Sequence, residues 1–486
     1  MEAAQQKIAR TTLLLTLTEL ASRVMSLILI ILVARRLGPA LMGIYAFALT
    51  FVRLLEILMD FGLDRYIQRE IGRCPEQSGP LFSQVLGLKV ALYLLGAGIV
   101  LLLGHFVIVD PLKRWAVWIL SLTIFFRSQA NATHAFFRAR QQVKYESFVV
   151  MTQRLVYTSA GVAAILAGYG LLTLVSLELL SQMGACATGW WLFRQKIGNP
   201  FHSVAFRHLR ALACSAQHFL YIRLALTVFN SIDLLMLSVL AGDAATGWYA
   251  AAVRVYSAFD FVPDAFSGAF LTVLSRKVKE GWAPFAAVFH HFFKYLLIVG
   301  LGLAAILGGL APQLMVRVFG SSFQPANCAL LLLAPALALN FVNLPLSNAI
   351  IALNEEKKIL INFSLAAVFN IALNLWLIPQ WQQNGAALAT LLSEAAVLVL
   401  QLRGLGWDRV RGLGLTALTQ RPLVAGALTF AWGCGLVFWG LPLLLNLPLV
   451  GLGFLTLLLL SGALSWQELT ATKDIFLKPR EALTMP

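Results

Sequence analysis

Charge is the scarcest thing in this chain. Only 12% of its 486 residues are Asp, Glu, Lys or Arg, about half the share of a soluble domain. With 59% hydrophobic residues and a mean hydropathy of +0.80, that deficit excludes an ordinary soluble protein. Cysteine is sparse as well: Cys74, Cys186, Cys214, Cys328 and Cys434 are scattered, and their spacing offers neither a disulfide framework nor a metal site. Long polar connections are missing, none exceeding about 20 residues, so no soluble domain fits between the apolar runs. There is no nucleophile–His–acid grouping, no phosphate-cradling loop and no metal-ligand spacing, and the longest outer loop has about ten residues. An enzyme is therefore not expected.

What the chain has in abundance is apolar runs of about 20 residues, the length needed to cross about 30 Å of hydrocarbon. About fourteen follow one another, at 12–33, 42–61, 83–109, 115–136, 147–167, 171–193, 213–240, 247–273, 286–315, 326–350, 359–378, 385–402, 422–444 and 448–465. The first is too long for a signal-peptide core and lacks a small-residue cleavage site, so it is expected to be the first helix. With the N-terminus inside, about 24 Lys and Arg fall on the cytoplasmic side and about five outside. Both termini are thus expected to be cytoplasmic. The net charge of +15 belongs to loops facing anionic headgroups. No basic folded domain exists to bind nucleic acid.

Eight basic residues lie within the apolar runs: Arg23, Arg53, Lys89, Arg127, Arg154, Arg223, Arg254 and Lys294. A cation at the bilayer centre costs about 2.5–3.5 kcal/mol on insertion scales, so each needs a reason. Lys89, Arg154 and Lys294 sit within about two turns of the cytoplasmic end, where snorkelling suffices. Arg23, Arg53, Arg127, Arg223 and Arg254 lie deeper and are candidates for a wet, basic cavity suited to an anion. Acidic residues share the spans: Glu19, Glu56, Glu178, Asp233, Asp260 and Glu394. Glu19 with Arg23, and Arg53 with Glu56 and Asp60, are spaced to share helix faces. Such pairs either ease insertion or pattern a cavity wall. The last two spans carry no ionisable residue and are expected to face lipid.

The chain also repeats itself. "ARRLGPALMGIYAFA" (34–48) parallels "LAGDAATGWYAAA" (240–252), each ending in Gly, one residue, Tyr, Ala. "AFFRARQQVKYESF" (135–148) parallels "AIIALNEEKKILINF" (349–363), and "GLLTLVSLELL" (170–180) parallels "GAALATLLSEAA" (385–396). With six spans per repeat, the halves share one orientation, an arrangement used by transporters with the substrate site between repeats.

These segments, with "DFGLDRYIQREIG" (60–72), "NSIDLLMLSVLAGDAATGWYAAAVRV" (230–255), "FGSSFQPANCALLLL" (319–333) and "NIALNLWLIPQWQQNGAALAT" (370–390), resemble the Wzx-type polysaccharide flippases of the multidrug/oligosaccharidyl-lipid/polysaccharide superfamily. The resemblance runs from about residue 8 to 405. It implies an all-α integral membrane fold: two parallel six-helix lobes in a V (1–200 and 201–405), then two further helices and a cytoplasmic tail (406–486).

The implied activity is movement of a polyprenyl-diphosphate-linked oligosaccharide from the cytoplasmic to the periplasmic leaflet of a bacterial inner membrane. The protein is expected to work as a monomer among membrane lipids, beside polymerase and chain-length machinery. A lipid II flippase and a multidrug cation antiporter are the alternatives within the superfamily. Related lipid II flippases carry cavity arginines on helices one, two and eight, which Arg23, Arg53 and Arg254 match in helix and depth; Arg127 and Arg223 extend the set. Those relatives also hold sodium in the second lobe, for which Asp233, Asn370, Asn374, Thr390 and Ser393 are the matching oxygen ligands. Interhelical hydrogen bonding explains the same residues. Glu19, Glu56, Asp233, Asp260 and Glu394 are the acids available for sodium or proton coupling, and no other cofactor is expected.

Overall fold

The computed structural model describes the backbone of residues 2–73, 78–196, 209–466 and 468; the side chains of 2–17, 19, 78, 209–219, 222, 264–266, 268–269 and 417 lie outside the description. Among the described residues every regular element is helical.

Ten helices among the described residues are long and apolar enough to cross a membrane. Two are double-length. α1 (Glu2–Asp60) breaks at Gly38 (φ 80°, ψ 178°), directly before Pro39. Positive φ suits glycine, and proline at the head of the resumed helix lacks only an N–H that would be unpaired anyway. Its apolar stretch of 41 residues is about 60 Å long, twice the hydrocarbon thickness. α13 (Glu356–Leu405) breaks at Gln382 (φ 47°, ψ −125°), three residues after Pro379. Both breaks fall where the sequence places hairpins between paired spans.

Between them lie α2 (Leu63–Arg73), α3 (Ser78–Phe106), α4 (Pro111–Ala139), α5 (Val143–Leu166), α6 (Leu171–Lys196) and α7 (Leu209–Leu240). α8 (Asp243–Ser257), α9 (Phe261–Glu280), α10 (Trp282–Gly309), α11 (Ala311–Phe319) and α12 (Asn327–Ala352) follow. After α13 come α14 (Trp407–Gly412), α15 (Leu415–Phe438) and α16 (Leu443–Leu460). The expected span 247–273 is divided between α8 and α9. Pro263 sits in the first turn of α9, where its missing N–H costs little. α4 has the length of a span but is more polar than the ten, carrying Lys113, Arg114, Arg127 and Arg138 with Ser128, Gln129 and Asn131.

Packing divides the chain into two units: residues 1–254 with 371–383, and residues 255–370 with 384–486. In the first, α4 packs on α6, α1 on α5, α4 and α7, and α5 on α6. The short helix α2 buries Leu63, Ile67 and Ile71 against Phe82 of α3, Phe136 and Phe137 of α4 and Phe193 of α6. Phe82 and Phe193 stack with centroids 4.7 Å apart. The repeated Gly-x-Tyr-Ala segments meet each other: a Cβ on Gly43 would lie 1.8 Å from the Asp243 carbonyl oxygen, and one on Gly247 would lie 1.9 Å from that of Pro39. Only glycine permits this backbone approach.

In the second unit α10 packs on α12 and α15, α9 on α12, and α15 on α16. Its core joins Phe285, Phe289 and Phe293 of α10 with Phe270 of α9 and Leu346 and Ile350 of α12. α15 and α16 leave Phe438, Leu444, Leu452 and Leu460 strongly exposed, as lipid-facing helices would.

Candidate functional site: an arginine-lined cavity

Within the first unit five helices enclose a cavity of about 350 Å³. Helical periodicity selects its walls. Residues three and four apart share a face, and the wall takes Arg127, Ala130, Asn131 and His134 from α4. It takes Val150, Gln153, Arg154 and Tyr157 from α5, Glu178, Gln182 and Ala185 from α6, Ser26, Tyr45 and Arg53 from α1, and Arg254 from α8.

The four arginines fall into two kinds. Arg127 is clamped between acids: Nη1 donates to Glu56 Oε2 at 3.2 Å and Nη2 to Glu178 Oε1 at 3.1 Å. Gln182 Nε2 donates to the same Glu178 oxygen at 3.1 Å. Arg53, Arg154 and Arg254 form no ion pair with a carboxylate among the described residues. Arg53 and Arg254 are exposed and Arg154 is half-buried, so a ligand can reach all three. Four guanidinium groups against Glu56 and Glu178 leave a net charge of +2 at the cavity. Guanidinium offers paired N–H donors that match phosphate oxygens and remain charged at any working pH.

Neutral polar groups complete the wall. Tyr45 and Tyr157 share a hydrogen bond between hydroxyls, 2.8 Å. Gln153 Nε2 donates to Ser181 Oγ at 3.0 Å. His134 Nε2 is buried without a hydrogen-bond partner among the described residues.

The other expected residues lie elsewhere. Arg23 is half-buried on α1 and not in the cavity lining; the Glu19 side chain lies outside the described residues. Arg223 pairs with Asp60 at 3.1 Å, also away from the lining. Two snorkelling expectations are corrected. Arg154 lines the cavity, on the same face of α5 as Gln153 and Tyr157. Lys89 is wholly buried: its Nζ lies 2.8 Å from Asp60 Oδ1, donates to Asp64 Oδ1 at 2.6 Å and to the Ser128 carbonyl at 3.2 Å. Its short distance from a helix end counts for less than these partners on α1, α2 and α4. Asp64, just beyond the first apolar stretch, is pushed up to about 7, first by burial and then by the Asp60 carboxylate beside it. Lys294 pairs with Glu468 at 2.7 Å.

Arg53, Glu56 and Asp60 share one face of α1, yet they meet three different surroundings: the open cavity, Arg127, and the Lys89–Arg223 cluster. The face was readable from spacing, whereas the neighbours were not. Arg154 escaped because depth alone was used. A polar face of Gln153, Arg154 and Tyr157 on an otherwise apolar helix was the available signal.

The oxygen-rich set divides between the units. Asp233, which accepts from the Tyr249 hydroxyl and from the Leu234 N–H, and Asn374 belong to the first. Asn370, Thr390 and Ser393 belong to the second. There Asn370 Nδ2 donates to Ser393 Oγ at 3.1 Å, while the Ser393 and Thr390 hydroxyls donate to the carbonyls of Ala389 and Ala386. Among the described residues no group of three His, Cys, Asp or Glu is arranged to hold a metal ion.

Residues 8–263, just over half of the chain, match the family described as polysaccharide biosynthesis protein. The chain belongs to that family. The resemblance to Wzx-type flippases read from the sequence is met by this match. A curated relative, a probable low-salt glycan biosynthesis flippase of Haloferax volcanii, is 23% identical over 379 residues, covering 76% of this chain and 77% of that protein. Among solved structures, the lipid II flippase MurJ in an inward closed conformation superposes with a TM-score of 0.75 at 14% identity, covering 92% of this chain and 98% of that one. An inward-facing multidrug resistance MATE transporter of the MOP superfamily gives 0.66 at 16% identity, covering 81% and 96%. The family member is thus a multi-pass helical membrane protein with the MurJ/MATE-like fold.

Proposed function

We propose that this protein is a flippase that carries a polyprenyl-diphosphate-linked oligosaccharide from the cytoplasmic to the outer leaflet for surface polysaccharide assembly. The observation that carries the reading is the set of Arg53, Arg154 and Arg254, three reachable guanidinium groups without carboxylate partners among the described residues, around one cavity. Such a headgroup combines a diphosphate, which hydrocarbon cannot solvate, with sugar hydroxyls and a lipid tail that can stay in the bilayer. Arginines meet the first need. The neighbouring Asn131, His134, Gln153 and Gln182 are donors and acceptors for hydroxyls. The family and the glycan flippase relative favour a surface glycan over lipid II. The positive cavity disfavours a lipophilic cation, the cargo of a multidrug antiporter. The excess of Lys and Arg in alternate loops supports cytoplasmic termini in a bacterial inner membrane, with transport by alternating access.

The test is transbilayer movement of a fluorescent polyprenyl-diphosphate sugar by purified protein in liposomes. Arg154→Ala and Arg254→Ala are each expected to slow it about tenfold or more, the loss of one charge-assisted contact, with Arg154→Lys retaining part of the rate. Undiminished movement by both alanine variants would overturn the reading.

A further inference from the structure

The second unit holds one buried acid that the arginine cavity does not use. Glu394 of α13 is 3% exposed. Its Oε2 accepts from Asn343 Nδ2 of α12 at 2.8 Å, and the same amide nitrogen donates to the Glu394 backbone carbonyl at 3.1 Å. Asn340, one turn earlier on α12, also hydrogen-bonds the carboxyl. Among the described residues no Lys, Arg or His forms an ion pair with it.

Among the described residues the surroundings supply no hidden cation. α12 contributes no Asp, Glu, Lys, Arg or His. On α10, His290 bonds the Leu413 carbonyl, His291 its own helix at Ala287, and Lys294 is committed to Glu468. From the start of α9 the nearest charge is another acid, Asp260, whose field acts on Glu394; the Asp264 side chain lies outside the described residues. Arg276, Lys277 and Lys279 sit in the last turns of α9, and Lys277 pairs with Glu280 at 2.6 Å. On α13 itself the charged residues, Glu356, Lys357, Lys358 and Arg403, stand at its two ends, with Lys358 bonded to Glu355 and to the Gly404 carbonyl.

An unpaired carboxylate is among the most expensive groups to bury, whereas the neutral acid is not. A second observation indicates what the site lacks. Asn343 Oδ1 is buried with no hydrogen-bond partner among the described residues. That oxygen is an acceptor without a donor, set beside a carboxyl that already receives the amide's N–H. A carboxylic acid O–H supplies the donor and completes an acid–amide pair. We propose that Glu394 is a proton-binding site within the second unit, holding one proton as a neutral acid bonded to Asn343. The balance is simple: one proton adds to one carboxylate oxygen, no other bond changes, and the proton leaves to water when the site is opened to it. A site of this kind gives the transporter a place to take up and release a proton separately from the lipid diphosphate.

Infrared difference spectroscopy on the full chain in lipid nanodiscs tests this without any cargo, so failure of the flippase reading leaves it standing and the converse holds. The expected result is a protonated carboxylic-acid band at neutral pH that moves on carbon-13 labelling of glutamate, disappears at alkaline pH, survives in Glu394→Asp and is absent from Glu394→Gln. The Glu394→Gln variant assigns the band, because Glu146, buried beside Arg138, is a second buried glutamate outside the Arg127 clamp. Absence of a neutral glutamic acid band in the wild type would overturn the proposal. So would collapse of the band when choline chloride is exchanged for sodium chloride at fixed pH, which would make Glu394 a sodium ligand instead.

Discussion

Two basic regions of the first unit look alike in the sequence and differ in the structure. Around Lys89, two carboxylates and a backbone carbonyl satisfy one ammonium group, and Arg223 caps the cluster through Asp60. Around the cavity, Arg53, Arg154 and Arg254 have no such partners among the described residues. Both regions place cations inside a membrane protein. In the first the countercharge is built into the chain, so the residue is scaffold. In the second no carboxylate is built in among the described residues, which is what the proposed cargo-binding role requires. Partnership therefore separates structure from function here better than depth does.

The sharpest way to break this contrast is Lys89→Met. It strands Asp60 and Asp64 in the interior, and removal of one member of a buried ion cluster costs about 3–5 kcal/mol. The expected outcome is a marked fall in melting temperature and in membrane abundance. A fully stable Lys89→Met protein with wild-type export would return Lys89 to the snorkelling class. Arg127→Ala is expected to fall between the two regions. It frees Glu56 and Glu178 and lowers the cavity's net charge from +2 to +1, lowering both stability and export. A variant that loses export at an unchanged melting temperature would move Arg127 into the cargo-binding class.

A pH scan sharpens the scaffold side. Asp64 stands near 7 in the folded protein because burial and Asp60 disfavour its charge. The native state then binds more protons than the unfolded chain between about pH 4 and pH 7. Stability is expected to fall as pH rises through that window, and Asp64→Asn is expected to flatten the slope in thermal denaturation. The smallest effect belongs to Glu355, at the hairpin before α13. Hydrogen bonds from Lys358 and Arg409 hold its carboxyl below the usual range. Its contribution is present above the ordinary glutamate range and lost as pH falls through the depressed value. On a solvated hairpin it is small, and Glu355→Gln is expected to leave export unchanged and to shift melting only marginally.

Much of the fold was legible. Apolar run length gave the helices, and the two hairpins at Gly38-Pro39 and after Pro379 appear as breaks inside α1 and α13. The repeated Gly-x-Tyr-Ala segments proved to be contacts as well as repeats, because Gly43 and Gly247 cross at backbone distance. Sequence spacing cannot show such meetings. The site was half legible for the same reason. Arg53, Arg127 and Arg254 were found by depth. Depth misplaces Lys89 because it cannot report the carboxylates across a helix interface, and Arg154 because it cannot report the cavity beside α5. Glu56 and Asp60 share a face with Arg53 and serve other cations, since one helix face meets several neighbours along its length.

The most direct test of the central claim is the affinity of the purified protein for a polyprenyl diphosphate, measured for the wild type and for the combined variant Arg53→Ala, Arg154→Ala, Arg254→Ala. The account expects a loss of about a hundredfold or more with the melting temperature retained. Unchanged affinity in a folded triple variant would contradict it.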